Sequence, residues 1–422
     1  MKSTHRLTGS ALVVLLAGCA GSHASTGSGT LPALTSNAVA RSSTGSEQIL
    51  YSFTGGNDGG NAATGIAVDR TGNLYGTTVV GGTYTCGTVF KLAPQGSPPW
   101  SETVLYNFTC YGDGKSPHGG VTIDGHSQLY GTTVAGGSGY CTGDGCGVAY
   151  RLSGQHESVM HDFGTGSDGF GPGGPIAFDS AGHAYGTTPD GGSYSQGIVY
   201  ELSLSGRVWH EKILHAFTGG ADGGVGSLGP LLLDKGGNVY GVTEEGGAHE
   251  AGTVFELSRR SKKSWKLTTL YAFKGTPDAA SPYGGLISDA SGDLFGTTYY
   301  GGAYQYGTVF ELVRKPKNKY VERVLYSFKG GNDGSSSTST LLFGASNDLL
   351  GTTSAGGGTC DCGTIFEVNG KTGKEQVLHS FGNGADGQYP YYGLASDGSG
   401  NLYGTTVAGG AHGQGAVFEF RP

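Results

Sequence analysis

The pentapeptide Leu74-Tyr75-Gly76-Thr77-Thr78 recurs in close variants along the chain, with its glycine at Gly76, Gly131, Gly186, Gly241, Gly296, Gly351 and Gly404. The steps between these glycines are 55 residues five times and then 53. An interval so constant marks seven copies of one supersecondary module, each completed by its neighbours rather than by a core of its own. A chain of 422 residues would ordinarily divide into two or three domains, but one repeat array absorbs this length. Glycine is 84 of the 422 residues, a bias that elsewhere marks disorder. Here the glycines fall at fixed phases between β-branched and aromatic runs, so they read as turn and packing positions.

Each copy holds four short β-type runs. In the first these are Gly65 to Asp69, Leu74 to Thr78, Thr88 to Leu92 and Thr103 to Phe108, and no segment after residue 20 keeps a helical period. Four antiparallel strands repeated seven times predict an all-β, seven-bladed β-propeller. A strand-like run, Gln48 to Phe53, precedes the first copy, while the last copy stops at its third strand, Val417 to Phe420. Adding the N-terminal strand to the last blade pairs every strand and closes the ring, which leaves no sheet edge at either terminus. In the outer strand, Trp100, Val104, Tyr106 and Phe108 share parity, as do Trp209 and Trp265 with their own successors, so the tryptophans read as packing residues. The turn after the first strand is Asp-x-x-Gly-Asn or near it, as at Asp69 to Asn73 and Asp397 to Asn401. This is hairpin chemistry, with too few acids for a calcium loop.

Lys plus Arg is 25 against 33 Asp plus Glu, a net charge of -8. That balance lacks the basic stripe a nucleic-acid surface needs, and the short run Arg259, Arg260, Lys262, Lys263 falls at a predicted hairpin tip. The N-terminus has Lys2 and Arg6 before the apolar stretch Leu12 to Ala17, which is too short to span a bilayer. It ends in Leu16-Ala17-Gly18-Cys19, which resembles the lipobox of bacterial lipoproteins. The resemblance implies a signal peptide over residues 1–18, lipidation at Cys19, and a Ser, Thr and Gly-rich tether through residue 46 leading to a propeller over 47–422. Ala20 in place of Asp resembles lipoproteins sorted to an outer membrane. A monomer in the cell envelope, on the membrane through its lipid and facing the periplasm or the exterior, is the location this implies.

The Gly-Thr-Thr signature with its downstream Gly-Gly and Gly-Thr-Val-Phe, carried well by Asn73 to Phe90, Asp293 to Phe310 and Asn401 to Phe418, resembles the GloVer tandem-repeat family of bacterial envelope proteins. The resemblance spans residues 48–421 and implies a location class without a reaction. Two copies depart from the pattern: the fourth reads Gly241-Val242-Thr243, and the sixth has Leu350 for Tyr and Gly344 for the turn Asp. A more distant likeness is to NHL-type propellers.

The seven copies act as each other's control. Asp58, Asp113, Asp168, Asp222, Asp278, Asp333 and Asp386 recur five residues after a Phe, and six of them precede Gly. Seven like acids suit loop capping better than acid/base chemistry, which needs unlike environments. The glycine inside the second strand requires a close neighbour, for which the adjacent blade is the expected candidate. The loops joining second to third and fourth to first strands must share one face, and there the copies differ. His118, Phe170, Tyr283, Tyr389, Tyr391 and Tyr392 fall in one loop set, and Tyr84, Tyr140, Tyr194, His249, Tyr304, Tyr306 and His412 in the other. Tyrosines among Ser, Asn and Asp suit stacking on sugars or peptides. The candidate ligand residues are His118, Tyr283, Tyr389, Tyr391, Tyr304 and His249.

No nucleophile elbow, zincin motif or P-loop is present, and no cofactor or metal site is expected. A single unlike cluster, Glu244 and Glu245 with His249, would serve the alternative reading of a polysaccharide hydrolase or lyase, with His118 beside it. Six cysteines beyond Cys19 suggest disulfides Cys86 to Cys110, Cys141 to Cys146 and Cys360 to Cys362, since no Cys-x-x-Cys pairing supports zinc. The expected function is binding or scaffolding of an envelope glycan, peptide or protein without catalysis.

Overall fold

A computed structural model of the protein describes residues 45–422 apart from 142, 165, 166, 227, 262, 263, 383 and 384. The expected signal peptide, Cys19 and nearly all of the tether, together with Lys262 and Lys263, therefore lie outside the described residues. The rest is a seven-bladed β-propeller. The first blade orders Ala67–Val68, Leu74–Thr78, Thr88–Ala93 and Ser101–Asn107 from the axis outward, all antiparallel. Blades two to six repeat that order. The innermost strand is shorter than expected, because the chain just before it packs backbone to backbone around the axis: a Cβ on Gly119 would stand 2.5 Å from the Gly174 carbonyl oxygen, and one on Gly174 2.7 Å from that of Leu228.

The last blade is completed as the sequence suggests. Ser46–Ser52 pairs antiparallel with Ala416–Arg421, from Ser46 opposite Arg421 to Ser52 opposite Ala416. The outer strand departs from simple alternation. Its register with the third strand shifts in every blade, leaving an extra residue at Leu50, Leu105, Met160, Leu214, Leu270, Leu325 and Leu378. This bulge breaks the parity inferred for Val104 and Tyr106, which pair with the neighbours Phe90 and Val89. The tryptophans do pack: Trp100 leans on Tyr403 and Trp265 on Tyr185, at ring separations of 6.2 and 6.4 Å.

The strand glycine also finds a different partner from the one expected. Gly76 is paired with Phe90 of its own blade, and a Cβ there would lie 2.6 Å from the Phe90 ring. The same holds for all seven glycines, the nearest obstacle being the aromatic residue of the third strand. Laid over the bare glycine, that ring meets the Phe ending the outer strand of the preceding blade. The pairs are Phe53–Phe90, Phe108–Tyr150, Phe163–Tyr200, Phe217–Phe255, Phe273–Phe310, Phe328–Phe366 and Phe381–Phe418, at centroid distances of 5.0 to 5.4 Å. One edge-on or tilted ring contact thus crosses each interface, and each adds about 0.5 to 1.5 kcal/mol beyond its buried area. Gly186→Val would push Tyr200, whose hydroxyl is 2.3 Å from the position of a Cβ, off Phe163. We expect a loss of about 1 to 3 kcal/mol in chemical unfolding; an unchanged midpoint would contradict this packing.

The first threonine of Gly-Thr-Thr ties the blades as well. The hydroxyls of Thr77, Thr132, Thr297, Thr352 and Thr405 donate to the carbonyls of Pro117, Gly174, Ser339, Tyr392 and Thr64 in the next blade. Val242 has no hydroxyl to offer at this place in the fourth blade. In the hairpin turns, Asp69 accepts the Thr71 and Asn73 N–H groups, so its oxygens are spent on the turn itself. Those bonds hold its carboxyl below the usual range although burial opposes them.

Candidate ligand-binding face

The two variable loop sets do meet on one face. Short backbone pairings join them in every repeat, among them Gly60 with Val80, Gly169–Phe170 with Asp190–Gly191, and Gly387–Gln388 with Ala408–Gly409. Each recurring Asp stiffens its loop by accepting the N–H four residues earlier: Asp58 from Thr54, Asp113 from Thr109, and likewise through Asp386 from Gly382. The capping role is therefore what the geometry shows. It has a second half that repeat alignment missed: each Asp also bonds the residue two before the Phe, a tyrosine in four blades and a histidine in three.

The candidate residues separate into two groups. Ala63, His118, Gly173, Leu228, Tyr283, Thr338 and Tyr391 occupy equivalent places just before the innermost strand. His118 and Tyr283 are buried there at 4% and 8% exposure, so they are not surface contacts. Burial lowers the His118 imidazole to about 4, and its Nε2 has no hydrogen-bond partner. It is a neutral, enclosed side chain. Tyr389 and Tyr391 are half-buried, and Tyr391 packs with Tyr392, Ala63, Val79 and Val407. A Cβ on Gly173 would lie 2.9 Å from Leu228 and 3.2 Å from Val134, so apolar groups crowd another part of this inner tier.

In the fourth blade Glu244 stands near Glu245 and Asp190; burial first and those two charges next push its carboxyl up to about 8. Asp190 is raised by burial. His249 is exposed in the following loop.

The second group is open to solvent. Tyr84, Tyr140, Tyr194, Tyr304 and Tyr306 in the loops after the second strand, Tyr300 at the end of one such strand, and Tyr111 after a fourth strand are 46% to 98% exposed. All seven stand on the loop face, whereas Phe53, Phe90, Phe108 and their counterparts are sealed inside the sheets. Sequence comparison of the copies missed Tyr111 and Tyr300, each an aromatic at a loop edge. Cysteine pairing follows expectation: Cys86–Cys110, Cys141–Cys146 and Cys360–Cys362 are disulfides with Cα separations of 5.4, 5.3 and 5.1 Å. All three staple this same face.

A closed ring of seven four-stranded blades, with its variable side chains gathered on one loop face, defines the class as a β-propeller. The model of the Gloeobacter/Verrucomicrobia repeat family matches residues 139–321 and 234–422, more than half of the chain, and the protein belongs to that family. No curated protein matches the chain by sequence. Among solved structures, a fungal alcohol oxidase of the AA5 family in complex with copper is similar at 12% identity, covering 89% of this chain and 76% of its own, with a TM-score of 0.52. Oligogalacturonate lyase from Vibrio parahaemolyticus is similar at 10% identity, 86% and 89% coverage and a TM-score of 0.50. The periplasmic gluconolactonase of Pseudomonas aeruginosa follows at 14% identity, 81% and 94% coverage and a TM-score of 0.49. At such identities these likenesses describe the fold alone.

Proposed function

We propose that this propeller is a non-enzymatic binding module whose tyrosine-bearing face takes an envelope glycan. The observation that carries the reading is the segregation of seven exposed tyrosines to one face of a rigid ring. A phenol ring gives a sugar a flat apolar surface to stack on and a hydroxyl to bond, at a small cost in ordering. The enclosure of His118 takes away one of the side chains that hydrolase or lyase chemistry would draw on, since an acid or base must reach the substrate. The test is a glycan array followed by titration with any polysaccharide retained. Replacing Tyr140, Tyr194 and Tyr304 together by Ala should weaken binding at least about tenfold, a stacking loss of roughly 1.4 kcal/mol, with the unfolding midpoint unchanged. Retention of no glycan, or affinity indifferent to the triple substitution, would count against the proposal.

We also propose that the domain hangs from a membrane through lipid on Cys19. The direction of the N-terminal strand suits this: Ser52 is paired beside the loop face and Ser46 lies at the opposite end of the blade. Cys19→Ala should abolish labelling by radioactive palmitate and release the protein from the membrane fraction; continued labelling would refute the anchor.

A further inference from the structure

The outer strands carry a feature that neither the repeat nor the binding face explains. Beside the recurring Asp of one blade lies a Glu from the outer strand of the next: Asp168 meets Glu211, and Asp386 meets Glu47. In four blades the third group at this spot is a tyrosine, which donates its hydroxyl proton to the Asp. His161 and His379 stand there instead at these two interfaces, with Nε2 at 2.9 and 3.2 Å from the Asp carboxylate.

The result is a His, an Asp and a Glu whose ligand atoms all lie within 4.8 Å of one another, built twice at separate interfaces. We propose that each trio, His161/Asp168/Glu211 and Glu47/His379/Asp386, binds one divalent transition-metal ion of the zinc type. One imidazole nitrogen and two carboxylate oxygens are the donor set such ions take, at about 2.0 to 2.2 Å, with a fourth position for water. The Asp is held for the task, its Oδ1 accepting the N–H of Gly169 or Gly387 and its Oδ2 that of Gly164 or Gly382. The Glu Oε1 is sealed from solvent without a hydrogen-bond partner here and at the four tyrosine interfaces alike, so the imidazole nitrogen is what sets these two interfaces apart as a donor set for a cation. The histidines are 21% and 22% exposed, which leaves a path for the ion.

The fold supplies its own control. His215 pairs with Asp222 in the third blade in the same way, but the next blade offers Leu267 where the others have Glu, since Leu267 is paired with Leu257 as Glu211 is with Leu202. Two sites are expected, not three.

Untagged protein stripped with chelator, incubated with zinc and desalted should carry two zinc ions per chain by elemental analysis. Cobalt in place of zinc should give the visible bands of a low-coordinate site. His161→Tyr and His379→Tyr each install the residue that four other interfaces already carry, so the fold is expected to survive, with an unfolding midpoint in chelator close to that of the parent. Each should remove one ion, and the pair both, while His215→Tyr should remove none. Absence of bound zinc, or zinc retained by the double variant, would overturn the proposal.

Discussion

A protein lacking Ser46–Ser52 is expected not to reach the native state. Deleting that strand strips Ala416–Arg421 of its outer partner and removes Leu50, which is 1% exposed in the core shared by the last and first blades. Removing Phe53 with it also breaks the ring contact to Phe90. A buried Leu and a buried Phe are each worth several kcal/mol, and a lost ladder adds to them, so the sum matches the whole stability of an ordinary domain. The exposed edge beside Val417 and Phe418 would then pair with other chains. The expected outcome is aggregation on expression, relieved by a synthetic peptide of residues 45–54 added during refolding. A soluble, cooperatively folding truncated protein would show that the strand is dispensable.

The second large effect is on pH. Glu102, Glu157, Glu322 and Glu375 sit beside Asp58, Asp113, Asp278 and Asp333 of the preceding blade, where tyrosine rather than histidine completes the group. Burial first and the neighbouring Asp next push each up to about 7 from 4.5. A carboxyl whose folded value is raised holds its proton longer in the native state than in the unfolded chain. It therefore stabilises fully below about 4.5 and loses that contribution as pH climbs through 7. Discounted for partial solvent screening, each is worth about 1 kcal/mol and the four together about 4 kcal/mol. Glu244, raised to about 8, adds in the same direction. His118 works oppositely, since its lowered value costs stability as pH falls from 6.5 towards 4, and offsets about one of the carboxyls. In chelator, the unfolding midpoint should fall by several degrees from pH 5.5 to 8.5. Changing the four residues to Gln should lessen that slope, with Glu47, Glu211 and Glu244 supplying the remainder; an unaltered slope would contradict the assignment.

The ring and its closure were legible because Gly76 and its counterparts keep one period and the unpaired strands at the two ends complement each other. What joins the blades was not. Glu102 and Asp58 belong to different repeats, and aligning repeats shows what is alike in each without showing which part of one meets the next. The strand glycine illustrates the same limit: its need for a close neighbour could be read, yet that neighbour is Phe90 across the strand rather than the adjacent blade. The outer-strand bulge hid for another reason. Its extra residue is Leu or Met in every copy, so the apolar content looks like an ordinary strand and only the register betrays it. On the loop face, His118 and Tyr283 look like Tyr304 in composition; what separates them is distance from the axis, which single-copy residues do not record.

Hydrogen exchange along the N-terminal strand tests the closed ring most directly. If the first strand is the outer strand of the last blade, amides within Ser46–Ser52 that face Ala416–Arg421 should exchange as slowly as those of Leu402–Thr406 on its other side. Exchange of residues 46–52 at the rate of a free peptide, with 402–406 still protected, would mean that the wheel is open.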